Sequence, residues 1–394
     1  MTTSYRRDAL VLATSVFLAS PGLAIVAPLI APIRDEFGVG NFEAGLVVSA
    51  FGIARMLADL PAGVLADRLP KAFLTAGGFG FLLAGSLLSA VAPSLSLLLA
   101  GRALTGIGSG LVMTTAIAWA GAIAPPGRQA RLISQVEATW MTSATVAPVI
   151  GGTVASHWGW RATFWYCAIA AVVSAAMLLA LAGRGRAAAP AARKRGAAPH
   201  AVGASGPVLG AYAAGFTIFF NRNGVRNMLL PLFAASVVGL GEASVGLVVA
   251  VVAGVTVATT VLGGQLADRF GRRPVLLAGL AVLIAGDLAL LVARSEPWLL
   301  AVGVLMGLGG IASSIPAAVL TGSVPAERLG GTIGGYRLVQ DVGFVLGPLV
   351  LGAILDRAGF GTGLVFAAVV VAAGSAFVAA LVRPPAPGAG RGGT

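Results

Sequence analysis

Ionisable side chains interrupt stretches of this sequence that are otherwise apolar: Arg55, Arg102, Arg222, Arg226 and Arg337, and the acids Asp59, Glu137, Asp287 and Asp341. Inside a membrane each such group costs several kcal/mol and needs a partner or a wet cavity. Ion pairing, proton carriage and recognition of a charged substrate are the chemistries open to them. Acids and bases nearly cancel, so their sum states no preference for substrate charge. Arg55 and Asp59, and again Arg337 and Asp341, are spaced i, i+4 and can meet on one helix face. Each pair reads either as a structural ion pair or as a direct handler of substrate or protons. Glu137 is an isolated carboxyl in an apolar stretch. Asp287 is a lone acid that serves either as a proton site or as half of a hydrogen-bonded pair.

Met113, Trp140, Met141, Phe219 and Phe220 are the apolar residues suited to a cavity for varied ligands, since Met and aromatics adapt; each also reads as ordinary packing. Arg222 and Asn223 crowd the interruption Asn223-Gly224. That interruption has a counterpart in Pro21-Gly22, and paired breaks of this kind point to a binding region. Soluble-enzyme chemistry finds little support. No GxxxxGK[ST] phosphate loop is present, and Gly307-x-Gly309-x-x-Ala312 spells a dinucleotide fingerprint only inside an apolar helix, where packing explains it better. Cys167 is the one cysteine, and His157 and His200 fall in loops, so neither a disulfide nor a buried metal site is expected. No metal, no cofactor and no enzymatic activity are expected.

The elements that must position these residues follow from composition. With 57% hydrophobic and 10% charged residues and 56 glycines, the chain is an integral membrane protein. Stretches near 9–33, 43–66, 72–92, 95–123, 132–155, 162–182, 207–235, 243–267, 275–293, 298–323, 332–355 and 361–382 are each long enough, at about 20 residues, to cross the hydrocarbon core as helices. Basic residues at Arg6, Arg7, Arg68, Lys71, Arg128, Arg131, Arg193 to Arg195, Arg269, Arg272 and Arg273 share one side, against Arg34, Arg161, Arg294 and Arg357 on the other. That asymmetry predicts both termini in the cytoplasm. The net charge of +12 is thus a signal for topology and for contact with the lipid bilayer, not a nucleic-acid footprint. Residues 183–206, rich in Ala, Gly, Pro and Arg, form a cytoplasmic linker between bundles at 1–182 and 207–382, and 383–394 is expected to be a disordered cytoplasmic tail.

The chain repeats itself. GGQLADRFGRRP, from Gly263 to Pro274, has a damaged copy in AGVLADRLPK, from Ala62 to Lys71, which places Asp67 and Asp268 201 residues apart. LTGIG at Leu104 matches LMGLG at Leu305, and APVIGG around Pro148 matches GPLVLG around Gly347 and Pro348. Landmarks in one order at a near-constant offset mean two homologous halves. Six helices per half is an even number, so both repeats enter the membrane in the same orientation.

The run Gly264-x-x-x-Asp268-Arg269-x-Gly271-Arg272-Arg273 resembles the signature loop of the major facilitator superfamily, with Asp67 and Arg68 in the eroded copy. Arg102 in LAGRALTGIG resembles that family's second motif, which is linked to proton coupling; Arg102 also reads as a side chain capping carbonyls. SATVAPVIGG, with Pro148, Gly151 and Gly152, resembles the fifth-helix motif of drug/proton antiporters, although Ser143 and Ala147 stand where glycines are expected. The GWR at Gly159 to Arg161 also fits. The resemblance implies an all-α membrane fold of twelve transmembrane helices in two parallel six-helix repeats, with substrate bound near the midplane between them, for which this superfamily is the reference case. It further implies a monomeric proton-coupled exporter of a small molecule in the cell (inner) membrane, driven by a proton gradient and working by alternating access. Glu137, just ahead of the fifth-helix motif, is then the first choice for the proton site, followed by Asp287 and Asp341. In such a fold Asp59 and Arg337 reach similar depth from opposite halves, so they are expected to latch the cytoplasmic side beneath Asp67. Two alternatives stand beside export: a symporter for an organic anion, and a membrane sensor or partner protein that no longer transports.

Overall fold

The computed structural model describes residues 3–19, 22, 24–69, 71–124, 128–181 and 205–382, and among these no strand occurs. The 183–206 linker (but for Ser205 and Gly206), the 383–394 tail, Pro21, Pro70 and the side chains of Asp67 and Arg68 lie outside the described residues. The helices are α1 (Thr3–Ala19), α2 (Ile30–Phe37), α3 (Asn41–Arg68), α4 (Lys71–Ala90), α5 (Leu95–Ile123), α6 (Gln129–Trp158), α7 (Trp160–Leu181), α8 (Gly206–Asn221), α9 (Leu230–Ser236), α10 (Glu242–Phe270), α11 (Arg272–Ala289), α12 (Glu296–Leu308), α13 (Ile315–Ser323) and α14 (Ala326–Leu381).

Nine segments among the described residues are long and apolar enough to cross a membrane. The last, Arg328–Leu381, is long enough to cross twice, and Gly359 turns it sharply at φ 75°. Helix α6 and the run from α8 to α9 complete the expected spans but fall short in hydropathy. The cause lies in their polar residues: Thr139, Thr142, Ser143, Thr145 and Thr153 beyond the charged start of the first, Arg222, Asn223, Arg226 and Asn227 in the second.

The repeat is visible in the backbone. A 3-10 helix at Ala24–Leu29 separates α1 from α2, and a π-helix at Arg222–Leu229 separates α8 from α9, so the two expected weak points are real breaks. Glycines at positive φ recur at the repeat offset, Gly38 with Gly239 and Gly159 with Gly359, each closing a turn that an L side chain would strain. Elsewhere Ser94 caps α5, and the Gly40 N–H donates to Glu43 at the start of α3.

Packing groups the chain into two units, Met1–Arg195 with Asn227–Ala250, and Gly196–Arg226 with Val251–Thr394. In the first, Leu12, Phe79, Val112, Trp119, Leu132 and Leu178 knit α1, α4, α5, α6 and α7 together. There α4 and α5 meet backbone to backbone, because Gly85 and Gly101 leave no side chain between them. In the second, Leu276, Leu280, Ile315, Leu320, Tyr336 and Val371 join α11, α13 and α14. Large apolar side chains are exposed in both units, among them Leu57, Phe73 and Ile169 in the first and Val261 and Phe377 in the second. So broad an exposed apolar surface is what a lipid-facing bundle presents.

Candidate functional site

Arg102 is the most enclosed cation among the described residues of the first unit, 1% exposed in the N-terminal third of α5. Its Nε donates to the Val47 carbonyl at 3.1 Å, its Nη1 donates to the Gly22 carbonyl at 2.6 Å, and its guanidinium lies 4.9 Å from the Phe51 ring centre. Gly22 sits in the break between α1 and α2. A break frees carbonyls from the helical ladder, and here Arg102 takes one of them up.

On α3, Arg55 Nε lies 3.8 Å from Asp59 Oδ2, so the i, i+4 pair forms. The Arg55 guanidinium also lies 5.8 Å from the Trp140 ring, and Asp59 rests against Gly110 of α5. Met113 and Trp140 line one small recess with Val16 and Ser109; Met141 is half-buried and does not line it. A larger groove of about 770 Å³ runs between α1 and α6, apolar at Leu10, Ala13 and Phe17 and polar at Gln135, Thr139 and Thr142, with Arg128 and Arg131 on the wall. Sequence reasoning missed it, because its apolar wall is ordinary Leu, Ala and Phe rather than a Met or Trp cluster.

Glu137 needs a correction. It was expected to be a buried carboxyl, yet its side chain is exposed, while its neighbours Leu132 and Val136 are buried. The reason is the face of α6 that packs: 132 and 136 are one turn apart, and 137 lies about 100° round from 136.

The fifth-helix motif acts through backbone contact. Gly151 of α6 abuts the Ile25 carbonyl in the first break, and Gly152 abuts the Glu242 carbonyl at the start of α10. Gly246 of α10 in turn faces the Pro148 carbonyl, so two helices interlock through glycine. Ser143, which replaces an expected glycine, donates to the Phe17 carbonyl at 2.7 Å and so ties α6 to α1. The GWR run also gains a role. Trp160 Nε1 donates to Glu36 at 2.6 Å, Arg161 bridges Glu36 and the Ala92 carbonyl, and α7 is thereby fastened to α2 and the α4–α5 turn.

In the second unit Asp287, fully buried on α11, accepts from Asn221 Nδ2 at 2.5 Å, so the lone acid belongs to a hydrogen-bonded pair. Asn221 ends α8, next to the π-helix, and Asn223 Nδ2 donates to the Phe344 carbonyl of α14 at 2.9 Å. There Gly224 packs on Gly347, ahead of Pro348. Arg222 lies 5.7 Å from the Phe219 ring. Arg337 is exposed on α14 and Asp341, one turn on, is half-buried.

In the intact signature loop Asp268 and Arg269 are exposed, and Gly271 makes the turn at φ 91°. Arg273 Nη2 then donates to the Ala379 carbonyl near the end of α14 at 2.6 Å, while Arg272 lies against Gly322 near the end of α13. Arg273, a cation at the C-terminus of α14, thus meets a carbonyl that the helical ladder leaves unpaired. The glycine run expected to pack does so: Thr259 Oγ1 donates to the Gly307 carbonyl at 2.8 Å, and Gly310 lies against the α10 backbone at Thr256.

The sequence profile of the Major Facilitator Superfamily matches twice, over residues 12–223 and 211–393. An MFS-type transporter of Methanocaldococcus jannaschii is 28% identical over 169 residues, 43% of this chain and 44% of that protein, so the match spans less than half of that relative. The multidrug resistance protein Stp of Mycobacterium tuberculosis (strain CDC 1551) is 25% identical, covering 84% of this chain and 72% of its own. The chloramphenicol resistance protein of Streptomyces lividans is 28% identical over 88% of each chain. Among solved structures, an inward-facing, occupied bacterial homologue of the human lysosomal transporter Spinster superposes with TM-score 0.81 at 18% identity, over 97% of this chain and 98% of that one.

Proposed function

The chain belongs to the Major Facilitator Superfamily, and from that premise we propose that it is a proton-coupled exporter of a small amphipathic or hydrophobic compound, working by alternating access. It is a multi-pass membrane transporter and not an enzyme. The observation that carries the export reading is the similarity, over 84% and 88% of the chain, to proteins named for multidrug and chloramphenicol resistance. The groove between α1 and α6, apolar along one wall and lined by hydroxyls, an amide and the two arginines Arg128 and Arg131 elsewhere, suits an amphipathic compound. A proton moving inward supplies about 2.3 kcal/mol per 100 mV of potential. Glu137 and Asp287 are the acids proposed to carry it, with Asp341 third. The protein works as a monomer in the cell (inner) membrane with its termini in the cytoplasm. Arg222 and Arg226 beside one cavity favour a second reading, uptake of an organic anion with protons.

Expression in a host stripped of its own exporters should lower the steady-state content of chloramphenicol several-fold, and a protonophore should restore it. Glu137→Gln should abolish gradient-driven export while leaving energy-independent exchange largely intact. Full gradient-driven export by that variant moves the proton site to Asp287 or Asp341. Unchanged content in cells that carry the wild-type protein in their membranes contradicts export of this compound.

A further inference from the structure

The groove between α1 and α6 is graded along its length. Arg128 and Arg131 stand exposed at one end of it, where α6 begins, and no carboxylate lines it among the described residues. Beyond them α1 contributes Leu10, Ala13 and Phe17, spaced so that successive turns turn apolar atoms to one side, and Leu10 is 67% exposed. Two cations followed by a bare apolar strip are the complement of an amphiphile with negative charge at one end. The facing wall does not oppose an apolar chain. The hydroxyls of Thr139 and Thr142 already donate to carbonyls one turn back in α6, at 2.8 and 2.9 Å, so covering them strands no donor. Length narrows the choice further. From Arg131 to Thr142 the wall runs about 16 Å, at about 1.5 Å per residue, close to half of the roughly 30 Å hydrocarbon core. That is the depth of one leaflet.

We propose that this groove binds an anionic phospholipid of the surrounding membrane, its phosphate between Arg128 and Arg131 and one acyl chain along Leu10, Ala13 and Phe17. The planar guanidinium suits phosphate oxygens held by two donors, and each basic residue near the headgroups adds to the attraction. A zwitterionic lipid offers the same chain without the net charge and binds less well. A soluble anion offers the charge without the chain and leaves Leu10 bare. The lipid and an exported compound would compete for one groove, so the inference bears on the site of the export reading without resting on it; it needs only a chain that lies in a bilayer.

Photochemical capture tests this without transport, so its failure leaves the export reading standing, and failed export leaves the capture result standing. The protein is reconstituted in phosphatidylcholine vesicles carrying a small fraction of phosphatidylglycerol with a diazirine in one acyl chain, and adducts are mapped after irradiation. The expected result is adducts concentrated on residues 9–17 and 131–142, suppressed by unlabelled phosphatidylglycerol and not by added phosphatidylcholine. Adducts spread evenly over the exposed apolar surface, at Ile169 and Phe377 as much as in the groove, overturn the proposal, and this arm needs no variant. Equal suppression by soluble glycerol phosphate also overturns it, because the occupant is then a free anion. Arg128→Gln and Arg131→Gln should each raise the phosphatidylglycerol fraction at which groove capture is half-maximal about fivefold, the worth of one basic residue at an anionic surface. Arg328→Gln, an exposed arginine outside the groove, should leave it unchanged. Groove capture that both groove variants retain, or that Arg328→Gln weakens as much as they do, overturns the assignment to these two arginines and with it the proposal.

Discussion

Gly246→Val is expected to lower transport at least tenfold while the protein remains folded in the membrane. The position that a Cβ would take at Gly246 is occupied by the Pro148 carbonyl of α6, and the partner contact sets Gly152 against the Glu242 carbonyl. Both obstacles are backbone, so no rotamer change relieves them. Overpacking of this kind costs about 1–3 kcal/mol, which is enough to displace a conformational equilibrium without unfolding the bundle. The ends of α6 and α10 should separate, and with them the contact between Arg34 and Ser236, now 3.1 Å. Spin labels at Val39 and Val237 should report a longer distance in Gly246→Val and in Gly152→Val. Gly80→Val, whose side chain would enter open space on α4, should change neither distance nor transport. An unchanged label distance in both interlock variants would show that this contact does not govern the conformational balance.

Arg102→Ala should be the most destabilising single substitution in the first unit. It removes charge-assisted hydrogen bonds to the Val47 and Gly22 carbonyls, each worth about 1.5–3 kcal/mol, and leaves both acceptors buried. A loss of about 3 kcal/mol is expected, read as a fall in melting temperature in detergent. Arg102→Lys keeps the charge but lacks the fork that spans two carbonyls, so it should lose about half as much. This pair of variants separates the two roles open to the residue. A residue acting only in proton coupling would lose gradient-driven transport on substitution and leave the melting temperature where it was.

The division into helices and the internal repeat were legible because they rest on local signals. Apolar length, basic loops and a 201-residue offset survive in any single sequence, and the breaks at residues 24–29 and 222–229 announced themselves through Pro, Gly and Asn in helices that should contain few. Spacing also foretold the Arg55–Asp59 pair, which needs only one helix. The site was harder, for reasons visible in particular residues. Glu137 was read as buried because its neighbours in sequence are apolar, yet the orientation of α6 is set by which face meets α1 and α7, and no local pattern states that. Asp287 was left without a partner because Asn221 lies 66 residues away on another helix. Gly246 drew no attention among so many glycines. Its importance comes wholly from the Pro148 carbonyl that faces it. GWR was noted as a run of residues, but its work, fastening α7 to Glu36, needed the position of α2.

Direction-resolved flux tests the central claim most directly. The purified protein is placed in liposomes with an acidic interior and a neutral bath, and uptake of radiolabelled chloramphenicol is measured; this neutral compound is not trapped by the gradient itself. Proton-driven export predicts accumulation inside, because outward proton flow drives the compound inward through the exchanger, with collapse on adding a protonophore and no accumulation in protein-free vesicles. Accumulation that appears only when the bath is the acidic side would establish symport and contradict the account. Gradient-insensitive flux, identical to that of protein-free vesicles for this compound and for an amphipathic dye, would contradict proton-coupled export altogether.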